Sequence, residues 1–411
     1  MKAQVVEQVT VAQAQTALAQ TAALYFAKDG TGRYRIDRRR ARPVCLMGPA
    51  GIGKTEIVRQ VAEEQGLAFL SYSVTHHTRQ SAIGLPRLSE CEVEGRTIPI
   101  TEYTMSEIIA EVYRVMRESG KAEGILFLDE FNCASETLRP VMLQLLQNKT
   151  FGPHAIPDGW MLVLAGNPGE YNAAARPLDA VTADRLRMLW LQPDYSAWRD
   201  YMVCRGVHPV VLSYLDDHRR QFYVFEKGKD GEALVTARGW EDLSVMLRMM
   251  EEFGYPVDLS FAAQYLQSAQ VARGFISYYR QYSTLIASGL AAGVLAGTLT
   301  PAQEKKFESM SFSKKWALTA VVLMRLERIC AEGKPNEASA ALEHVLHFYR
   351  DYFGGEPQLE FLINGITETD AIARHIARHG SETYCAAAEQ MIFADSQAPS
   401  VEKLKAMLGA Q

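Results

Sequence analysis

Eight residues, Gly48-Pro49-Ala50-Gly51-Ile52-Gly53-Lys54-Thr55, carry the first recognisable chemistry of the chain. Two glycines separated by four residues and closed by Lys-Thr satisfy the phosphate-binding pattern G-x-x-x-x-G-K-T, and each residue type in it has a task. The glycines let backbone N–H groups turn inward around an anion, and a helix starting near Lys54 adds its positive dipole end at the same point. The Lys54 ammonium reaches β- and γ-phosphate oxygens, and the Thr55 hydroxyl is a ligand for Mg²⁺. A Gly-rich turn would explain the glycines alone but not the Lys-Thr pair that follows them.

About 75 residues beyond Lys54, the apolar run Gly124-Ile125-Leu126-Phe127-Leu128 ends in Asp129 and Glu130. Neither carboxylate is expected inside a core strand, because an unpaired buried charge is costly. At a strand's carboxyl end both can work: Asp129 holds Mg²⁺ through its water shell, and Glu130 orients or deprotonates the attacking water. A solvated acidic strand end is the bland alternative, and the spacing from the phosphate loop argues against it. The two segments together predict a site that binds and hydrolyses ATP with Mg²⁺ as its metal.

Such residues need elements to position them. The pattern from Val44 alternates strand (Val44 to Met47), helix (Thr55 to Gln65), strand (Leu67 to Val74), helix (Met105 to Ser119) and strand (Ile125 to Leu128), then helix (Ser135 to Gln147) and strand (Trp160 to Ala165). Alternation of this kind predicts an α/β parallel-sheet sandwich. Beyond Pro193 helices dominate, expected at Ser196 to Arg220, Ala237 to Phe253 and Phe261 to Tyr282, with later breaks at Thr300-Pro301, Gly333 to Pro335, Gly354 to Pro357 and Gln397 to Pro399. A helix from Val11 to Ala27 precedes the sandwich without an evident partner. We expect an N-terminal helical segment at 1–40, an α/β nucleotide-binding core at 41–195, a helical lid at 196–284 and a C-terminal helical extension at 285–411.

The motifs as a set resemble the AAA+ ATPases and, among them, the MoxR-type branch of the helix-2-insert group, over residues from about 40 to 280. Leu128-Asp129-Glu130-Phe131-Asn132-Cys133-Ala134 is similar to that branch's Leu-Asp-Glu-Leu-Asn-Arg-Ala; Asn132 matches, and Cys133 stands where Arg is typical, so no role of that Arg carries over. Gly166-Asn167-Pro168 resembles sensor 1, which implies that Asn167 positions the hydrolytic water. Thr182-Ala183-Asp184-Arg185-Leu186-Arg187 resembles the stretch bearing the arginine finger, which implies that Arg185 acts in trans on a neighbouring subunit, with Arg187 the competing residue. Thr236-Ala237-Arg238 resembles sensor 2, with Ala237 where Pro is usual, and implies that Arg238 of the lid meets the nucleotide. The stretch 83–103, with its Glu94-Gly95 turn, resembles the helix-2 insert, and a second hairpin is expected around Phe151 to Trp160. Without the resemblance these would read as a turn Asn, surface arginines and ordinary surface hairpins.

The resemblance implies a homo-oligomeric ring, a hexamer, whose hydrolysis remodels a protein client or assists metal or cofactor insertion into it, often with a partner bearing a von Willebrand factor A domain. The different-class alternative is a nucleic-acid-associated motor or restriction-type subunit. Composition bears on that choice: with 48% hydrophobic and 22% charged residues and a net charge of -5, the chain is not globally basic. Six cysteines without a C-x-x-C pair fit a reducing compartment. The apolar stretch Ile286 to Leu299 is short of the roughly 20 residues that span a bilayer. No secretory signal is evident, so a cytoplasmic location is expected. The pairs His76-His77 and His375/His379 read as a polar loop and a solvated helix face, and the Arg38-Arg39-Arg40 run lacks the interleaved aromatics of a nucleic-acid groove.

Overall fold

A computed structural model describes residues 8–392 except 77, 94–95, 229–230, 288, 354–361, 364 and 368. The Glu94-Gly95 turn, His77 and the breaks at Gly354 to Pro357 and Gln397 to Pro399 lie outside the described residues. The chain divides into two compact units, Met1–Ala197 and Trp198–Gln411.

The first unit is built on six parallel strands: β1 (Gln8–Val9), β2 (Val44–Met47), β3 (Ala68–Ser73), β6 (Gly124–Asp129), β9 (Trp160–Gly166) and β10 (Arg187–Leu191), in the order β1-β10-β2-β9-β6-β3. β2 and β9 are buried along their whole length, which is why they read as continuous apolar runs rather than alternating ones. Register sets the function. Met47 is level with Gly166 and Leu164 with Leu128, so the carboxyl ends of β2, β9 and β6 emerge side by side.

Helices α1 (Val11–Tyr25), α2 (Lys54–Glu64), α4 (Glu107–Ser119) and α5 (Arg139–Asn148) accompany this sheet. The partner of α1, not evident from sequence, is α2: Gln15 Nε2 donates to Gln60 Oε1 at 3.3 Å and to Glu64 Oε1 at 3.2 Å. Thr10 and Gln13 close its first turn as a capping box. α5 begins at Arg139 rather than Ser135, because Pro140 has no N–H to give and is tolerated only in a first turn.

Two antiparallel hairpins leave the sandwich. β4 (Pro86–Val93) pairs with β5 (Arg96–Tyr103), and β7 (Thr150–Phe151) pairs with β8 (His154–Ala155). The short helix α3 (Arg79–Ile83) ends at Gly84 (φ 103°), where a Cβ would lie 1.9 Å from the Thr104 carbonyl oxygen; only glycine lets the base of the first hairpin close. Thr104 Oγ1 accepts from the Leu85 N–H at 2.9 Å, and His154 Nε2 lies 3.1 Å from the Thr104 carbonyl oxygen, joining the two hairpins.

The second unit is mainly helical. The expected helix Ser196 to Arg220 is two, α7 (Tyr195–Cys204), which contains the unit boundary, and α8 (Pro209–Asp217), because Gly206 is left-handed (φ 68°) and Pro209 starts a new first turn. The segment from Phe261 to Tyr282 is likewise divided between α10 (Leu259–Tyr265) and α11 (Ala269–Ala287). An all-helical reading of this unit needs one correction. Val224–Gly228 and Gly231–Val235 form the antiparallel strands β11 and β12, and Leu234 bridges to Gln267 in the α10–α11 gap, so tertiary pairing rather than a long apolar run makes them strands. α9 (Ala237–Glu252) follows with Trp240, Leu243 and Leu247 fully buried. The later helices are α12 (Leu290–Ala296), α13 (Pro301–Glu308), α14 (Phe312–Glu332), α15 (Pro335–Phe353), α16 (Asp370–His379) and α17 (Glu382–Ile392). His375 is not on a solvated face: it is buried, and its Nε2 lies 2.9 Å from Ser339 Oγ. Among the described residues, no helix is long and apolar enough to cross a membrane.

One residue of the first unit opposes folding. Lys149 closes α5 in a left-handed conformation (φ 58°), is 5% exposed, and its Nζ donates to the Leu146 carbonyl at 2.8 Å. Burial pushes its ammonium down to about 8. A lowered lysine pKa means that the charged form is penalised in the folded state, so the cost is full below pH 8 and disappears above the unfolded value near 10.4. Lys149→Met therefore raises the unfolding free energy at pH 7 by roughly 1–3 kcal/mol. Denaturant titrations at pH 7 and pH 10 check this: the gain shrinks at the higher pH, and a destabilised variant at pH 7 sinks the assignment.

Candidate active site

The phosphate loop joins β2 to α2. Gly51 (φ 71°) and Gly53 (φ 87°) are both left-handed, the conformation that turns successive N–H groups toward one point. Gly48 is glycine for packing, since a Cβ there would lie 2.9 Å from the Leu191 carbonyl oxygen on β10 and 3.0 Å from Ile52 Cδ1. α2 starts at Lys54 with Gly53 as its cap, so no capping side chain competes for the helix's first N–H groups. Pro49 and Ile52 are buried, and Ala50 is half-buried, which seats the loop on the sandwich.

Lys54 is 8% exposed. Its Nζ donates to the carbonyls of Gly48 at 3.0 Å and Pro49 at 2.7 Å, and to Asn167 Oδ1 at 2.8 Å. Thr55 Oγ1 lies 3.4 Å from Asp129 Oδ2, while Asp129 Oδ1 accepts from the Glu130 N–H at 2.8 Å. The hydroxyl and carboxylate are thus adjacent hard oxygen donors at the mouth of the loop, the donor type that suits Mg²⁺. Among the described residues no group of three or more His, Cys, Asp or Glu could hold a metal by itself. A hydroxyl beside one carboxylate oxygen fits an ion that takes its remaining ligands from phosphate and water, as Mg²⁺ does.

Glu130 has φ 54°, one of two described non-glycine residues with positive φ. Such a conformation costs on the order of 1–3 kcal/mol and marks a side chain aimed for a purpose. Its Oε2 accepts from Thr75 Oγ1 at 3.1 Å and from Ser73 Oγ at 3.3 Å. Those two hydroxyls at the end of β3 were not singled out from sequence; the signal available was two hydroxyl residues flanking Val74 at a strand's carboxyl end. Cys133, three residues on, has its thiol pushed up by burial and by the Glu130 and Asp129 carboxylates, so it stays protonated there.

The structure therefore brings Lys54, Thr55, Asp129, Glu130 and Asn167 together. Arg185 and Arg187 bond to other elements of the first unit. Arg185 follows the short helix α6 (Ala180–Ala183) and donates through Nη1 to the Val181 carbonyl; with the Gln147 amide turned to satisfy both groups, its Nε donates to Gln147 Oε1 at 2.7 Å. Arg187, at the start of β10, donates to Thr21 Oγ1 on α1 at 2.6 Å. Arg187 is thus tied to α1, whereas Arg185 lies in the short link between α6 and β10. Arg238 belongs to the second unit, exposed in the first turn of α9 behind the cap Thr236, whose Oγ1 accepts from the Gly239 N–H at 3.1 Å.

Comparison with known proteins points the same way for the first unit. The profile of the AAA family, described as the ATPase family associated with various cellular activities, matches residues 44–151. A Lon protease from Fusobacterium nucleatum subsp. nucleatum is 30% identical over 120 residues, which is 28% of this chain and 14% of that protein; the match thus spans a small part of the relative's length. A solved structure of a RuvB mutant from Thermotoga maritima is similar over 62% of this chain and 67% of that one at 13% identity, with a TM-score of 0.34, too low to carry an argument. The stretch that matches the AAA family model, residues 44–151, holds both the phosphate loop and the Asp129-Glu130 strand.

Proposed function

We propose that the chain is a Mg²⁺-dependent ATPase of the MoxR type, working as a homo-oligomeric ring, a hexamer, that remodels or activates a protein client or assists metal or cofactor insertion into it. The observation that supports hydrolysis most directly is the convergence of Lys54, Thr55, Asp129, Glu130 and Asn167 at one edge of the sheet. In this reading the loop Gly48 to Thr55 binds the phosphates of ATP, and Lys54 exchanges its protein acceptors for phosphate oxygens. Thr55 and Asp129 hold Mg²⁺, which offsets charge on the phosphates when bound. Glu130 takes a proton from water that Asn167 orients.

Arg185 belongs to a neighbouring subunit's site. Its tether is a carbonyl and a neutral amide rather than a carboxylate, so moving it does not break an ion pair. Arg238 approaches the nucleotide from the lid. The client is a protein, with a von Willebrand factor A domain partner in keeping with the MoxR resemblance, and the setting is cytoplasmic. The match to Lon, by its name a protease, supports the ATPase part of this reading alone.

Glu130→Gln retains ATP affinity and lowers turnover by roughly 10²–10⁴-fold, the usual worth of a general base. Binding of a fluorescent ATP analogue together with phosphate release measures both, and a variant that turns over at the wild-type rate removes Glu130 from the mechanism. Arg185→Ala lowers turnover by about 10³-fold or more if it serves as the finger. Mixed with Lys54→Ala subunits, it regains partial activity, because some interfaces then pair an intact loop with an intact finger. Absence of recovery at every mixing ratio counts against a shared site.

A further inference from the structure

We infer that Asn132 is a positioning residue for hydrolysis: its side-chain amide holds the Asn167 peptide, and through that peptide sets the Asn167 side chain against Lys54. This rests on the ATPase reading above and adds to it a residue outside the phosphate loop. Asn132 lies in the 3-10 turn Phe131–Cys133 directly after Glu130 and is 6% exposed. Its Nδ2 donates to the Asn167 carbonyl at 2.7 Å and to the Arg176 carbonyl at 3.4 Å, while its Oδ1 accepts from the Asn167 N–H at 3.3 Å. Two carbonyls face the nitrogen and one N–H faces the oxygen, so the partners determine which way the amide points. The Arg176 N–H in turn donates to the Asn132 carbonyl at 3.0 Å. One residue thereby pins both ends of the segment 167–176, the loop that leads out of sensor 1.

The close approach has been provided for. A Cβ on Gly166 would lie 2.6 Å from Asn132 Oδ1 and 2.8 Å from Met47 Sδ, so glycine at the end of β9 makes room for the amide. The side-chain chemistry is selective too. Pairing with both the backbone N–H and the backbone C=O of one residue needs a donor and an acceptor on a single planar group of short reach, which asparagine supplies. Aspartate has the same shape but turns an acceptor toward the Asn167 carbonyl, and alanine leaves half-buried backbone groups of Asn167 without this partner.

The consequence reaches the site through one further bond. Asn167 Oδ1 accepts from Lys54 Nζ at 2.8 Å, and where that oxygen sits depends on the backbone that Asn132 holds. Misplacing a positioning group by about 1 Å costs up to about 10²-fold in rate. Asn132 therefore acts on turnover and leaves the phosphate loop, with its own glycines and helix, to bind nucleotide.

The test uses the full-length protein, with Asn132→Ala and the near-isosteric Asn132→Asp, and three readouts: ATP turnover, affinity for a fluorescent ATP analogue, and hydrogen exchange over residues 167–176. We expect kcat to fall about 10–100-fold in both variants, with the analogue's Kd within about threefold of wild type and exchange over the segment faster by at least about tenfold. Adding Asn132→Ala to Asn167→Ala should cost nothing further, since Asn132 acts through the Asn167 side chain that Asn167→Ala has already removed. Unchanged kcat, or a double variant slower by the product of the two single losses, overturns action through Asn167. Unchanged exchange overturns the hold on the segment, and a rise in Kd that accounts for the whole loss shows a collapsed loop instead. Should Asn132→Ala fail to fold, Asn132→Asp carries the same three readouts. A wild type with no ATP turnover fails the ATPase reading separately, and the exchange arm then decides by itself whether Asn132 holds the segment.

Discussion

A lysine buried to 8% exposure is tolerable only where oxygens surround its ammonium, and the geometry around Lys54 follows from meeting that demand. Acceptors from different parts of the chain surround Nζ, among them Gly48 and Pro49 from the loop itself and Asn167 from the end of β9. The first two require the loop to fold back over the start of α2, which the left-handed glycines Gly51 and Gly53 permit. The third requires β2 and β9 to be neighbours in parallel with Met47 level with Gly166. A slip of the register by one residue would carry Asn167 to the opposite face and leave the ammonium short of an acceptor.

The same alignment explains why Glu130 sits in an uncommon backbone conformation. β6 must deliver Asp129 to Thr55 and then turn at once so that Asn132 can reach back to β9. Both demands fall within four residues, and the chain meets them by placing Glu130 at φ 54°. The cost is offset locally: Asp129 Oδ1 accepts the Glu130 N–H, Ser73 and Thr75 hold the Glu130 carboxylate, and the 3-10 turn that follows closes with Asn132 on the Asn167 peptide. The strained residue is fixed from β3, β6 and β9 at once, the condition under which such strain persists.

How much of this was legible in the sequence depended on whether the signal was local. The phosphate loop was readable because its glycines, Lys54 and Thr55 are contiguous, and the parallel strands were readable because burial on both faces leaves β2, β6 and β9 as unbroken apolar runs. The sheet edge was not, since β1 is only Gln8–Val9 and exists by pairing with β10. The start of α5 was available in principle, because Pro140 marks a first turn, and so was the division of Ser196 to Arg220 at Gly206 and Pro209. β11 and β12 carry Glu, Lys and Gly and become strands through each other and through Gln267, which no window of sequence contains. Asn132 was readable as part of a motif, but its hold on Asn167 spans 35 positions and depends on strand order.

The hairpins raise a different physical question, because they run against the economy of the core. A two-stranded ribbon alone is marginal in water. Yet β4 and β5 extend over eight residues each with Leu88 81% exposed and Ile98 42% exposed. What they share with the sandwich is a rigid base: Gly84 against Thr104, Leu85 paired to Thr104 in both directions, and His154 of the second hairpin on the Thr104 carbonyl. The second hairpin continues directly from α5 through Lys149, and α5 follows the Asp129-Glu130 strand end after a few residues. The bonds at Thr104 thus fasten the two ribbons to each other at their bases, which offsets the marginal stability of either alone. Lys149, the link from α5 to the second hairpin, gives its ammonium to the Leu146 carbonyl while its own carbonyl accepts from the Ile156 N–H at 2.9 Å, so one residue both closes the helix and holds the far end of the ribbon.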